Sequence, residues 1–284
     1  GSLKDELEKE FGRFDAEIVN TEHHRAHLAS AFFASPYDKA ALLSIDGFGD
    51  FTSTMRAIGS ALDISVIDSV DYPHSIGIFY TTFTQWLGFM NYGDEYKVMG
   101  LAPYGEAKYT DRLWDVVRLK DDGLFELNLK YFRHPKEGVT MSWDGGEPKV
   151  GSLYTSYLEE KFGKARVKYE ELTQYHMDMA ASIQKVCEET IFHILRDLHA
   201  KTGLENLCIA GGVAQNSVAN GKIIANTPFK NLYIPPAGHD AGTSIGAALW
   251  QYNEALKNPR IPPMLHGYLG SKYEDEEVEA YLVS

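Results

Sequence analysis

The chain has 284 residues, 44% of them hydrophobic, and a formal net charge of -13 at pH 7. That length buries a sizeable core in one large or two medium domains of an ordinary globular protein. The acidic balance argues against a nucleic-acid backbone as main partner and leaves room only for a local basic groove, and no apolar stretch approaches the roughly 20 residues that span a bilayer.

In chain order the pattern is mixed α/β. Residues 4–12 read as a charged helix, and residues 17–20 as a short strand feeding a His-rich helix that runs to about Ala34. Residues 40–46 have the composition of a fully buried strand. Residues 51–58 and 64–70 follow as two more, with Gly47 and Gly49 placed to turn the first hairpin. Residues 75–87 form an aromatic-rich helix. Residues 105–150, with Pro135 and an Asp144-Gly145-Gly146 break, read as a surface excursion of short elements. A long amphipathic helix is predicted over 169–200, a buried strand over 206–210 and a helix over 217–225. A strand over 232–234 and a final long helix over 241–256 complete the series. Cys187 and Cys208 fall in apolar-patterned segments and read as buried thiols, which suits a reducing cytoplasm. His176, His193 and His199, inside the long helix, read as structural or surface groups. Gly1-Ser2 resembles the scar of a cleaved tag, so the chain is expected to be a piece of a longer protein.

His23 and His27 stand four apart, so on a helix both imidazoles leave one face and can share an ion. Two ligands do not close a site. The carboxylates best placed to join them are Asp46, at the end of the apolar run, and Asp240 in Gly238-His239-Asp240-Ala241-Gly242; capping the following helix is the alternative for Asp240. Three glycine turns at strand ends accompany these residues: Gly47 with Gly49, Gly211 with Gly212 ahead of Asn216, and the Gly238 turn. Each has an ordinary turn as its alternative. Together they suggest loops converging on a nucleotide cleft.

The stretches His23-His24-Arg25-Ala26-His27, Ser44-Ile45-Asp46-Gly47-Phe48-Gly49-Asp50, the run from Gly93 to Gly105, the Gly211 turn with Asn216 and Asn220, and the run from Gly238 to Gly246 carry a specific resemblance. The chain resembles the amino-terminal domain of the nodulation-type and antibiotic-type O-carbamoyltransferases, which is related to the tRNA threonylcarbamoyladenosine transferase. The resemblance implies the actin-like, sugar-kinase and heat-shock ATPase (ribonuclease H-like) superfold. Residues 1–39 would then be a remnant of a first lobe with the His-rich helix, 40–260 the second lobe with its surface excursion near 105–168, and 261–284 a linker toward a carboxyl-terminal domain.

It also implies a metal held by His23, His27, Asp46 and Asp240. That donor set accepts Fe(II), Mn(II) or Zn(II), and the resemblance favours iron. Carbamoyl phosphate and ATP would give carbamoyl adenylate on the carboxyl-terminal domain, and the carbamoyl group would pass to a hydroxyl of a sugar or other small molecule. Gly47, Gly49, Gly211, Gly212, Asn216 and Gly238 would hold phosphate and nucleotide, and His24 or His239 would be the base. A chain without the rest of the first lobe and the adenylate-forming domain is expected to be inactive alone. The run from Gly93 to Gly105 has no role assigned; its Asp94, Glu95 and Lys97 fit an ion-pair cluster equally well. The rival readings are a tRNA-modifying relative, a sugar kinase, and a nucleotide-binding scaffold in which the histidine pair is incidental.

Overall fold

The apolar run of residues 40–46 forms the buried middle of β1 (Lys39–Gly49), and the computed structural model, which describes residues 2–143 and 148–283, builds the rest around that strand. β2 (Thr52–Ser60) and β3 (Asp63–Asp71) continue from it as an antiparallel meander. Two small hairpins follow, β4 (Val117–Leu119) with β5 (Phe125–Leu127) and β6 (Met141–Ser142) with β7 (Lys149–Val150). The chain then returns to the main sheet. β8 (Asn206–Ala210) lies parallel to β1 and β9 (Asn231–Tyr233) parallel to β8, giving the strand order β3-β2-β1-β8-β9.

The two-residue period of β1 divides the core. Ala41, Leu43 and Ile45 join Leu207 and Ile209 against the helices Ile76–Trp86 and Gln174–Thr202. Ala40 and Leu42 join Cys208 and Ala210 against the helix His23–Phe33 and Leu249 of the helix Thr243–Leu249. Asp46 is in phase with the second set, which puts it under the His-rich helix. That helix therefore packs on the sheet of residues 40–260. Cys187 and Cys208 lie on opposite sides of the sheet, and burial pushes each thiol up to about 12, as expected of inert core cysteines.

Several expected boundaries moved. Residues 17–20 form no strand and are exposed. β1 runs through Gly47 and Gly49, neither of which has positive φ, and the hairpin turns instead at Asp50 and Phe51 (φ 49° and 70°). The predicted helix over 217–225 is two short ones, Ser217–Asn220 and Ile223–Asn226, and the final helix ends in a π-helical turn, Trp250–Ala255. Residues 105–168 are no mere surface excursion, because Leu113, Val117, Phe125, Tyr131, Leu158 and Phe162 all enter the first core cluster. Their apolar residues are scattered through short elements and show no period, so the pattern reads as surface. The Asp144-Gly145-Gly146 break lies outside the described residues. Among those described, no helix is long and apolar enough to cross a membrane. Leu3–Phe11 and Asp275–Val283 are helices without a buried residue.

Candidate metal centre

The first turn of the His-rich helix is fixed from outside the helix. The Glu22 carboxylate accepts from the amides of His24 (2.9 Å) and Arg25 (2.7 Å), and Asp50 at the hairpin tip accepts from the His23 amide at 2.9 Å. His23 and His27 then project one above the other, with ring centroids 4.6 Å apart. The His23 ring lies against Gly49, where a Cβ would come within 2.0 Å of it. Asp240 arrives from the loop after β9. Its position depends on the helix Thr243–Leu249 crossing the His-rich helix at Gly246, where a Cβ would stand 1.8 Å from the Ala26 carbonyl oxygen. A Gly246→Val chain is expected to lose about 1–3 kcal/mol in urea unfolding, because neither backbone can yield without separating the helices.

Four donor atoms converge here. Nε2 of His23 and Nε2 of His27 are 3.0 Å apart, and Oδ2 of Asp46 stands 3.2 and 3.0 Å from them. Oδ1 of Asp240 is 3.5 Å from the first and 3.4 Å from the second. One ligand atom from each of the four residues lies within 4.8 Å of every other. A metal–ligand bond of about 2.1 Å separates neighbouring donors by about 3.0 Å at a right angle and about 3.4 Å at the tetrahedral angle. The observed edges fall in that range, so the residues fit a single divalent ion. His27 is buried, Asp46 nearly so, and the Asp240 side chain is 59% exposed, leaving the open side of the cluster toward solvent.

A profile of the carbamoyltransferase N-terminus family matches residues 6–249. The chain belongs to that family. It is 43% identical over 271 residues to an uncharacterized protein of Synechocystis, covering 93% of this chain and 42% of that one. It is 34% identical over 286 residues to nodulation protein NolNO of Sinorhizobium fredii, covering 99% of this chain and 38% of the relative. The chain thus spans about two fifths of the length of these relatives. A shorter likeness, 36% over 84 residues, links it to a tRNA N6-adenosine threonylcarbamoyltransferase of Fervidobacterium nodosum, covering 30% of this chain and 25% of that enzyme.

The structure places the remaining candidate residues of this carbamoyltransferase-family chain as follows. His24 is fully buried, with Nδ1 2.7 Å from Ser44 Oγ and Nε2 2.8 Å from the Thr52 carbonyl. Burial lowers its pKa, so the neutral ring donates from Nε2 and accepts at Nδ1. No nitrogen remains for an acceptor proton, and His24 is a structural residue. His239 is exposed, but its Nδ1 accepts from the Ala241 amide at 3.1 Å; in the neutral ring Nε2 then carries the proton and presents a donor, not a base. Asn216 caps Ser217–Asn220 and exchanges two 2.9 Å bonds with Gln184, which occupies its carbonyl oxygen and one of its two amide hydrogens.

The glycines make local contacts around the histidine–aspartate cluster. The Gly47 amide donates to Asp46 Oδ1 at 2.7 Å, and the Gly211 amide, at φ 106°, donates to the Gly238 carbonyl at 2.7 Å. Gly212 opens the space beside Asp46, where a Cβ would meet Oδ1 at 2.7 Å. In the Gly93 to Gly105 run, Lys97 pairs with Asp94 at 2.6 Å and Thr81 donates to Glu95 at 2.6 Å, which is the ion-pair reading. His193 donates to or accepts no ligand of the cluster and instead meets the Lys120 carbonyl; His176 closes a cap with Thr173. Glu22, Asp50, Gly246 and Tyr92 were missed. Burial raises the Tyr92 hydroxyl pKa, and the charges of Asp240 and Asp46 raise it further.

Burial pushes the His27 pKa down, but hydrogen bonds to Asp240 and Asp46 outweigh it and raise it to about 8. Burial would likewise raise Asp46, yet the bonds from His23 and His27 hold its carboxyl well below the usual carboxylate range. In metal-free protein the His27 contribution is fully present below pH 6.5 and is lost as pH climbs through about 8. It amounts to about 2 kcal/mol, readable as a fall in the urea midpoint across that window. Metal must expel the same proton. Zn(II) affinity, measured by chelator competition, is expected to rise about tenfold per pH unit below pH 8 and to level off above it.

Proposed function

We propose that this chain is the metal-bearing domain of an O-carbamoyltransferase. The full protein would pass a carbamoyl group from carbamoyl adenylate, made from carbamoyl phosphate and ATP, to a hydroxyl of a sugar or other small molecule. The observation that carries this reading is the convergence of His23, His27, Asp46 and Asp240 at 3.0–3.5 Å in a chain of the carbamoyltransferase N-terminus family. The strand order, an antiparallel meander followed by two parallel strands, supports an actin-like, ribonuclease H-like core.

In this proposal the four side chains would hold Fe(II), or Mn(II) or Zn(II), which would supply Lewis acidity. Buried His27 and Asp46 anchor, while Asp240 and His23 border the open side, where the adenylate would enter past Gly212 and the Gly238 turn. His239 presents its Nε2 proton toward an oxygen that gains charge. The acceptor oxygen would bond to the carbamoyl carbon as the bond from that carbon to the phosphate oxygen of AMP breaks, AMP would leave with that electron pair, and the hydroxyl proton would pass to solvent water. Buried reduced thiols and Fe(II) both suit the cytoplasm.

The test uses the full-length protein reconstituted with Fe(II), supplied with carbamoyl phosphate, ATP and a panel of oligosaccharide and small-molecule alcohols. Pyrophosphate release reports adenylate formation, and mass spectrometry reports carbamoyl transfer. Asp240→Ala is expected to keep pyrophosphate release and lose transfer. Undiminished transfer by both Asp240→Ala and His27→Ala would remove the metal cluster from the reaction.

A further inference from the structure

A polar cavity of about 470 Å³ lies between residues 129–137 and 154–156, and its lining carries a local excess of positive charge on a chain whose net charge is -13. Lys130, Arg133 and Lys136 line it, with Phe132 and Tyr154 as ring surfaces and Ser156 as a hydroxyl. One carboxylate is present, Glu137, and it holds only Nε of Arg133, at 3.0 and 3.1 Å. No carboxylate pairs with Lys130 or Lys136 among the described residues, while most other lysines of the chain have such a partner. Two unpaired cations and the free end of a guanidinium facing one cavity repel each other unless an anion joins them.

The walls are tied in place. The Arg133 amide donates to the Leu153 carbonyl at 2.8 Å and the Thr155 amide to the Tyr131 carbonyl at 3.1 Å. Phe132 and Tyr154 form an antiparallel bridge, and Thr155 Oγ1 donates to the Lys130 carbonyl at 2.8 Å. The cations therefore stand on a fixed frame, which lowers the ordering cost of binding. The volume is that of a small-molecule site, and the fork of Arg133 with two ammonium groups matches phosphate oxygens.

We propose that this cavity binds a phosphate-bearing small molecule, its phosphate held by Lys130, Lys136 and the Nη atoms of Arg133. This does not rest on the carbamoyl-transfer reading, since none of these residues belongs to the metal cluster.

The experiment is calorimetric titration of the chain with inorganic pyrophosphate and, separately, with ATP. Both are run in EDTA, so that no metal-bound nucleotide contributes. Saturable one-to-one binding is expected. It should weaken at least tenfold in Lys130→Glu/Lys136→Glu, weaken with added salt, and stay unchanged in Asp240→Ala. All the altered side chains are exposed, and Lys130→Ala/Lys136→Ala provides a milder pair if charge reversal impairs folding. ATP binding more tightly than pyrophosphate assigns a nucleotide, and equal affinities assign phosphate alone; both keep the site. Absence of saturable binding, or equal affinity in the wild type and both lysine pairs, overturns it.

Discussion

Arg56→Ala is expected to destabilise the chain by about 3–5 kcal/mol, seen as a large drop in the urea midpoint with the transition still cooperative. Arg56 is a fully buried residue of β2. Its Nε and Nη2 each donate to Asp68 at 2.6 Å, and Nη1 donates to Asp197 at 2.7 Å. The carbonyls of Asp122 and Ile194 also accept from it, at 3.2 and 3.4 Å. One guanidinium thus joins β2, β3, the turn between β4 and β5, and the long helix. Truncation leaves two half-buried carboxylates and the carbonyls of Asp122 and Ile194 short of donors and empties the volume of a fully buried side chain. Lys201, 2.5 Å from Asp197 and 3.6 Å from Asp68, recovers only part of the loss. The contrast is Lys272→Ala. That side chain is 81% exposed and pairs with the exposed Glu274, so its removal should change stability by less than about 0.5 kcal/mol.

Asp46→Ala is expected to weaken metal binding more than about 100-fold, which exceeds the usual effect of losing a group behind the ligands. Asp46 faces both histidines through one oxygen and is oriented by the Gly47 amide through the other. The metal-free variant should also lose part of the stability change between pH 6.5 and 8, since of the two carboxylates that raise His27 it keeps Asp240 alone. Asp240→Ala should weaken the metal too, and in metal-free protein it should likewise lower the unfolding midpoint below pH 8, because its hydrogen bond also raises the His27 pKa. Chelator competition and urea unfolding of the same preparations separate the two effects.

The four clustered residues were legible because each sits where a strong local pattern ends. His23 and His27 share a helical spacing, Asp46 closes a continuous apolar run, and Asp240 opens a helix after a glycine turn. Their meeting was not legible from spacing. It depends on Gly49 admitting the His23 ring and Gly246 admitting the Ala26 carbonyl, and a glycine in sequence does not disclose what approaches it. The same ambiguity misled the reading of Gly47 and Gly49 as the hairpin turn, when Asp50 and Phe51 take the positive φ. His24 failed as a base for a related reason. A histidine beside His23 looks catalytic until its partners, Ser44 and Thr52, are seen, and Asn216 after a glycine turn did not disclose its exchange with Gln184. The main sheet strands were strong in sequence because their burial is continuous or alternating. Residues 105–168 were weak because many short elements share one core without a common period.

The most direct measurement is elemental analysis of the purified chain after anaerobic reconstitution with Fe(II), beside His27→Ala and Asp240→Ala. The expected result is close to one iron per wild-type chain and substantial loss in both variants, which would place a helix residue and a distant loop residue in one site. Iron retained at wild-type level by both variants, with their folds intact, would contradict the four-residue centre.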